Sequence, residues 1–432
     1  MPNRGTQPSS IRHPWARIWV QGWRFELKLT VLSWVTLLLS QAIASWAPYL
    51  LIFCAAMVLV FRPDLRHRFS AGAKARAGIR RLQGAMWHCV ITGRSGEIPQ
   101  VCEVTQLPVG RKFLLSLPVG LHFELLERRA PELAAALSAR EVIVRPVRTN
   151  AKLVELFEVR QHPFPKVLLT DLAEITNTDL WKPLPLGLAD DGKAVSITLP
   201  EHNLLIGGEP GSGKSVALSV LVATAALDPR VGITLFDGKQ VELAPWAPVA
   251  TDFVGADLSR GIEVLEKLAK TMDDRYQRLL AEGRRKIDPS SLYGLHLVVI
   301  DELAFYLRGG KKADRDQFAE LLRDLISRGR AAGIIVIAAT QKPSHEVVPT
   351  WIRDLFAYRL AMRCSSSEAS DTILGSGWAT RGSSASSIDP TDRGVGYLLA
   401  EGGTPQLIKV PFLSDEEIAT ISLRAAKLRN GA

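Results

Sequence analysis

The stretch NLLIGGEPGSGKSVALSVL, residues 203–221, constrains this chain more than any other. A short apolar run leads into a glycine-rich turn and then a helical run. Gly208, Glu209, Pro210, Gly211, Ser212, Gly213, Lys214 and Ser215 fit the pattern G-x-x-x-x-G-K-[ST]. Glycines let backbone N–H groups converge on phosphate oxygens at a helix start, where the helix dipole also favours an anion. In that pattern the lysine, Lys214, reaches the β and γ phosphates, and the Ser215 hydroxyl is a ligand for Mg²⁺. The spacing predicts a strand, a loop that binds the phosphates of ATP, and a helix.

Such a loop needs a sheet behind it. Continuous apolar runs at 204–206, 232–236, 297–300 and 334–338 are strand candidates, and helical stretches such as 261–282 and 314–331 separate them. Strands apolar on both faces that alternate with amphipathic helices predict an α/β fold with a parallel sheet covered on both sides. LHLVVIDELAFYL ends one such run on Asp301-Glu302. Downstream of a phosphate loop, an acidic residue at a strand tip holds Mg²⁺, and an adjacent Glu polarises the attacking water. Taken alone, the pair would serve equally as an acidic helix start. GIIVIAATQKP places Thr340-Gln341 at the carboxyl end of another run, where open α/β sheets present ligand-facing groups. Gln341 is then a candidate sensor of the γ-phosphate; its other role is a turn signal before Pro343.

The other end of the chain has a different character. Residues 27–61 carry no charge after Lys28 and break near Ser45-Trp46-Ala47-Pro48, a length that suits two short membrane helices joined by a tight turn. Arg12, Arg17 and Arg24 precede this run, and Arg62, Arg66, Arg68, Lys74, Arg76, Arg80 and Arg81 follow it. The positive-inside rule therefore predicts a multi-pass protein of the cell membrane with its N-terminus and its C-terminal bulk in the cytoplasm. Trp15, Trp19 and Trp23 share one helical face, suited either to headgroup depth or to packing on protein. The formal charge of +9 favours an anionic partner, nucleic acid or inner leaflet. Cys54, Cys89, Cys102 and Cys364 form no C-x-x-C pair, which points to a reducing compartment, and His345 reads as a surface or packing residue.

Between these ends, FLLSLP and HFELLE alternate like strands, PELAAALSA reads as a helix and EVIVRPV as another strand, a small α+β module. The stretch 158–187 is punctuated by proline, and the Ser-rich RGSSASSIDPTDRG reads as a mobile loop. The predicted organisation is an interfacial segment at 1–25, a transmembrane hairpin at 26–61, a basic linker at 62–85, a small α+β domain at 86–165 and a phosphate-loop domain at 166–432.

LLIGGEPGSGKS, ITLFDGKQVELAPW, MDDRYQRLLAEG, VVIDELAFYL, RGRAAGIIVIAATQKPS and SEASDTILGSG occur in the order and style of FtsK/SpoIIIE-type DNA translocases. The resemblance covers 166–417, and GLHFELLERRAPELAAALSAREVIVRPV looks like the small domain that precedes the motor in that family. It implies a RecA-like ATPase motor that forms a homo-hexameric ring around double-stranded DNA and is held at the cytoplasmic membrane. Carried over by position, Lys214 and Ser215 bind phosphate and metal, Asp301 binds the metal, Glu302 activates water and Gln341 senses nucleotide. Arg330 in RGRAAG and Arg359 in FAYRLAM match family arginines. One of them would reach a neighbouring subunit's nucleotide, and either would otherwise pair with a carboxylate.

The chain departs from the family's blocks at Lys342, Asp371 and Gly375, which bears on subunit contacts. Its compact layout resembles the transfer proteins of actinobacterial conjugative plasmids and integrative elements. That likeness implies conjugative transfer of duplex DNA, with further transfer proteins as partners. Septal chromosome translocation is the alternative with the same cargo, and polypeptide secretion the alternative with another, though secretion ATPases carry several phosphate loops in tandem. A scaffold that merely binds nucleotide would not need Lys214, Asp301 and Glu302 together.

Overall fold

A computed structural model describes residues 32–37, 63–147, 149–341, 343–344 and 347–431. Contacts divide the chain into two units, Met1–His162 and Pro163–Ala432. Trp15, Trp19, Trp23, Cys54, Lys342, His345 and nearly all of the hairpin at 26–61 lie outside the described residues, apart from a helical stretch at 32–37. Among the described residues no helix is long and apolar enough to cross a membrane.

In the first unit, β1 (Gln100–Leu107), β2 (Gly110–Ser116), β3 (Glu141–Pro146) and β4 (Leu153–Val159) form an antiparallel sheet in the order β1-β2-β4-β3. Helices α1 (Pro63–His88), α2 (Phe123–Arg128) and α3 (Ala130–Leu137) accompany it. Phe113 and Leu115 of β2 and Val142 and Val144 of β3 alternate inward, meeting Leu126, Leu133 and Leu137 of α2 and α3. Leu82 and Met86 of α1 join the same core, so the stretch read as a basic linker is helical and its last turns are structural. HFELLE, which alternates like a strand, opens α2 instead. It runs almost directly into PELAAALSA, and the helix preference of the Glu-, Leu- and Ala-rich whole overrides six residues of alternation.

The second unit carries ten strands: β5 (Leu184–Ala189), β6 (Ala194–Ile197), β7 (Leu204–Gly207), β8 (Gly232–Phe236), β9 (Asp252–Val254), β10 (His296–Ile300), β11 (Ile334–Thr340), β12 (Tyr358–Met362), β13 (Val395–Leu399) and β14 (Gln406–Lys409). They lie in the order β6-β5-β14-β13-β12-β7-β11-β10-β8-β9. From β12 to β9 all neighbours are parallel. The remaining four strands add in antiparallel fashion, so the sheet is mixed rather than parallel as expected. For one pair the cause is local: only the short AEGGTP turn separates β13 from β14, and a parallel pair needs a far longer crossover.

Seven α-helices belong to this unit among the described residues: α4 (Lys214–Ala226), α5 (Leu258–Ala281), α6 (Leu303–Arg308), α7 (Lys312–Arg328), the short α8 (Thr350–Arg353), α9 (Ser367–Leu374) and finally α10 (Asp415–Asn430). Leu205, Val298, Ile300, Val336 and Ala338 share one core with residues of α5, α6 and α7. Leu204, Ile206, Leu297, Val299 and Ile337 share the other with α4 and α10. Both faces of the central strands are therefore dry, which is why these strands read as unbroken apolar runs. α5 starts before the stretch read as helical because Asp257 caps it, its carboxylate accepting from the Ser259 N–H at 2.9 Å. The Ser-rich stretch expected to be a mobile loop is fastened instead. Ala385 and Ile388 are buried in the second core, and the Ala385 N–H donates to Ser370 Oγ at 2.9 Å.

His296 opens β10 with its Nε2 2.8 Å from Thr234 Oγ1, its ring occupying the space a side chain at Gly232 would need. Burial, then the nearby Arg275 guanidinium, pushes its pKa down to about 4. The unfolded imidazole keeps its ordinary value, so below it the denatured chain binds a proton that the native chain refuses. Stability from this site is complete above about pH 6.5 and is lost as pH falls towards 4, by roughly 2–3 kcal/mol. Thermal melts at pH 7 and pH 4.5 should show a larger loss for wild type than for His296→Gln. Equal losses would mean that this histidine charges freely in the native state.

Candidate active site

The strand neighbours of β7 are β11 and β12, both from much later in the chain, so β7 sits where the order of connections turns back. Open α/β sheets bind ligands at the carboxyl ends of strands at such a point. The phosphate loop emerges there. Gly213, at the N-terminal boundary of α4, has φ of 109°, and a β-carbon on it would stand 2.8 Å from the Gly394 amide nitrogen, so only glycine fits. Gly394 in turn donates its N–H to the Ser212 carbonyl at 2.9 Å, which ties the end of the Ser-rich stretch to the loop.

Lys214 folds back over this loop, its Nζ donating to the Glu209 carbonyl at 2.9 Å. Burial lowers its pKa, against the pull of Glu302 and Asp301. A desolvated ammonium held by one neutral carbonyl is placed for an anion. Asp301 shows the opposite need: it is 3% exposed, and its Oδ2 has no hydrogen-bond partner. Burial, then the carboxylates of Asp237, Glu242 and Glu302, raises its pKa to about 7. An orphaned carboxylate oxygen among like charges is the chemistry a divalent cation satisfies. The buried Ser212 Oγ is also unpartnered, and Ser215 is half-buried at the first turn of α4. Among the described residues no group of three or more His, Cys, Asp or Glu could hold a metal. That suits Mg²⁺, which is bound by one or two protein oxygens and completes its shell with water and phosphate. Asp301 and Ser215 fit it.

Glu302 joins two strands. Its carboxylate accepts from Thr340 Oγ1 at 2.9 Å, from the Gln341 N–H at 2.9 Å and from the Ala304 N–H at 3.2 Å. It therefore caps α6 while standing beside the metal-site carboxylate and the end of β11. The helix-start geometry of the Asp-Glu pair and its place at the site coexist.

Arg330 and Arg359 lie elsewhere. Tyr358 pairs with Leu204 and Ala361 with Gly207, so Arg359 is near the amino ends of the strands, away from the phosphate loop, and Arg330 precedes β11 on that same edge. Both line one cavity of about 320 Å³ with Asp354, Phe356, Trp378 and Glu401. Arg330 Nη2 is 3.7 Å from Glu401, and its Nε donates to the Glu201 carbonyl. Arg359 donates to the carbonyls of Leu374 at 3.1 Å and Phe356 at 3.2 Å, and burial lowers its pKa. Asp371, one of the departures, accepts from the N–H groups of Gly377 at 2.8 Å and Ala379 at 2.9 Å, shaping the turn that carries Trp378 into this cavity.

Two residues at the phosphate edge were not singled out in the sequence. Asp237, fully buried after β8, accepts the N–H groups of Lys239, Gln240, Val241 and Leu243 and so sets the loop beside Asp301. Its signal was there: an acid followed by glycine at the end of an apolar run. Arg363, at the end of β12, accepts the Glu209 N–H on its carbonyl at 2.9 Å and pairs its guanidinium with the Glu209 carboxylate. Nothing local in the sequence marks it, because the contact joins strands far apart in the chain.

Residues 168–381 match the model of the FtsK/SpoIIIE family. The DNA translocase FtsK of Halalkalibacterium halodurans is 27% identical over 351 residues, covering 74% of this chain and 42% of that protein. The DNA translocase FtsK of Staphylococcus epidermidis is 27% identical over 349 residues, with the same coverage of 74% and 42%. This chain thus spans about two fifths of the length of the curated relatives it matches. Among solved structures, the pCW3 conjugation coupling protein TcpA, in a monomer form with ATPγS, superposes with a TM-score of 0.54 at 18% identity, over 81% of this chain and 99% of that one. ATPases 2 and 3 of EssC from Geobacillus thermodenitrificans give 0.52 at 17% identity, over 62% and 53%. At such identities the likeness is one of fold, an α/β P-loop NTPase built on a large mixed sheet. Phosphate loop, strand-tip carboxylates and fold agree with the matched span: residues 168–381 of this chain are an FtsK/SpoIIIE-family domain.

Proposed function

We propose that this chain is an ATP-driven translocase of double-stranded DNA, anchored in the cell membrane with its N-terminus and motor in the cytoplasm, and that it serves conjugative transfer. The observation that carries the reading is the convergence of Lys214, the orphaned Asp301 and the strand-bridging Glu302 on one sheet edge behind a phosphate loop. In the reaction the loop amides and Lys214 hold the β and γ phosphates. Ser215 and Asp301 would hold Mg²⁺, which neutralises charge developing on the phosphate oxygens. Glu302 orients the attacking water and takes its proton, leaving its bond to Thr340 to do so. The Gln341 backbone already bonds Glu302, so a change at the γ-phosphate side of β11 is felt by the base directly.

A homo-hexameric ring would lay the edge that carries Arg330 and Arg359 against the nucleotide of the next subunit. An arginine supplied there stabilises transition-state charge. The basic flanks of the apolar run at 27–61 support the membrane topology. A conjugation coupling protein shares the fold over 81% of this chain, which is in keeping with a transfer role.

ATP hydrolysis by the detergent-solubilised chain, measured with duplex, single strand or peptide added, tests the cargo. Stimulation by duplex alone is the expected result; stimulation by peptide alone overturns it. A motor must hold every sequence it passes, so its grip falls on phosphates rather than base edges. Some six such contacts would weaken duplex binding about 10³-fold between 50 and 200 mM salt. Competition between unrelated duplexes should show little preference. A hundredfold preference, about 2.7 kcal/mol, would mean that this chain reads sequence itself.

A further inference from the structure

Glu209 is an awkward residue for a phosphate loop. Its carboxylate lies in the segment that must accept a polyanion, and its own carbonyl is the atom that holds Lys214 Nζ at 2.9 Å. That carboxylate is therefore only a side chain's length from the ammonium that should meet the β and γ phosphates. What keeps the two apart is Arg363. Its guanidinium pairs with Glu209 Oε1, and its backbone carbonyl accepts the Glu209 N–H at 2.9 Å, so residue 209 is gripped at both ends from β12. The side chains of the pair are 23% and 24% exposed, dry enough for the attraction to count and open enough for nucleotide to reach the loop. Gly208 fits the same arrangement: a β-carbon there would stand 2.9 Å from Met362 Cβ and 3.1 Å from the Arg363 carbonyl, so the loop is pressed against the end of this strand.

We infer that Arg363 is a positioning residue for nucleotide binding: it holds the Glu209 carboxylate away from Lys214 and from the triphosphate, acting through Glu209 rather than on the phosphates. The inference rests on the reading of this loop as an ATP site. Without Arg363, Glu209 turns onto the desolvated Lys214 ammonium, the nearest cation in want of an anion, and the loop satisfies its own lysine. Incoming nucleotide then has to displace an internal carboxylate while being repelled by it. KM for ATP rises, while kcat is largely kept, because Glu302 and Asp301 are untouched.

The test is a set of calorimetric titrations of the full chain with ATPγS and Mg²⁺. Arg363→Gln should bind about tenfold more weakly than wild type, Arg363→Lys should retain most of the affinity, and Glu209→Gln added to Arg363→Gln should recover most of the loss. The recovery separates this role from a merely structural one, since a misfolded loop is not repaired by a second substitution. A double variant as weak as Arg363→Gln would show that Arg363 contacts the phosphates itself and overturn the inference. So would an Arg363→Gln variant that binds like wild type. No binding of ATPγS by wild type would instead overturn the reading of the site on which the inference stands.

Discussion

Glu302→Gln is expected to bind ATP about as well as wild type and to hydrolyse it some 10²–10⁴-fold more slowly, the range attributed to a positioned general base. The amide keeps the shape of the side chain, and its oxygen can still accept from Thr340 Oγ1 or from the Gln341 N–H, so the ends of β10 and β11 stay joined. What it cannot do is take a proton from water. Lys214→Ala should fail earlier, at binding, because it removes the ammonium that lies across the phosphate loop. The two variants therefore separate on a plot of binding against turnover. Titration with ATPγS and single-turnover hydrolysis measure the two axes. Wild-type hydrolysis by Glu302→Gln would remove this residue from the chemistry and leave it as the cap of α6 alone.

Both residues were legible in the sequence, and the reason is geometric. A phosphate loop and a strand-tip acid are each written in one contiguous segment, with a hydrophobic run fixing where the strand ends. The bounds of β8, Gly232–Phe236, are legible because the β-favouring run Ile-Thr-Leu-Phe starts after a glycine and stops at Asp237. The antiparallel side of the sheet was not legible. β6 and β14 have four residues each, and the pairing of β14 with β5 joins Ile408 to Ala189 across the whole domain. The fastening of the Ser-rich stretch rests on Ala385 and Ile388, two apolar residues whose burial depends on a cavity that other segments build, and on hydrogen bonds from Ala385 to Ser370 and from Gly394 to Ser212. Arg330 and Arg359 were singled out by resemblance, and their common cavity on the far edge of the sheet could not be derived from spacing. Arg363 belongs to the same class, since its partner Glu209 lies in another part of the chain.

Asp301→Asn should make the protein more stable and its motor inert. Because the native carboxyl titrates near 7 while the unfolded one keeps its ordinary 3.8, the native state holds a proton that the denatured chain has already released. Stability from this site is therefore undiminished below about pH 4. It falls as pH rises through the interval, and above pH 7 the full cost of a buried, unpartnered anion is present. Removing the charge should return about 2–3 kcal/mol at pH 8, less than the shift alone would give because the new amide is itself incompletely bonded, and almost nothing at pH 4. Thermal melts of wild type and variant at the two pH values, without nucleotide or magnesium, measure the difference. Adding both should then stabilise wild type strongly and the variant little, since binding to the native state raises stability only where the site can bind. A variant less stable than wild type at pH 8 would mean that Asp301 has a favourable partner in the free protein. The argument for a cation there would fail with it. Otherwise the instability of this carboxylate is what makes the site work: an oxygen left unbonded by the fold is available to a metal, and a sheet edge that satisfied it internally would have nothing to offer.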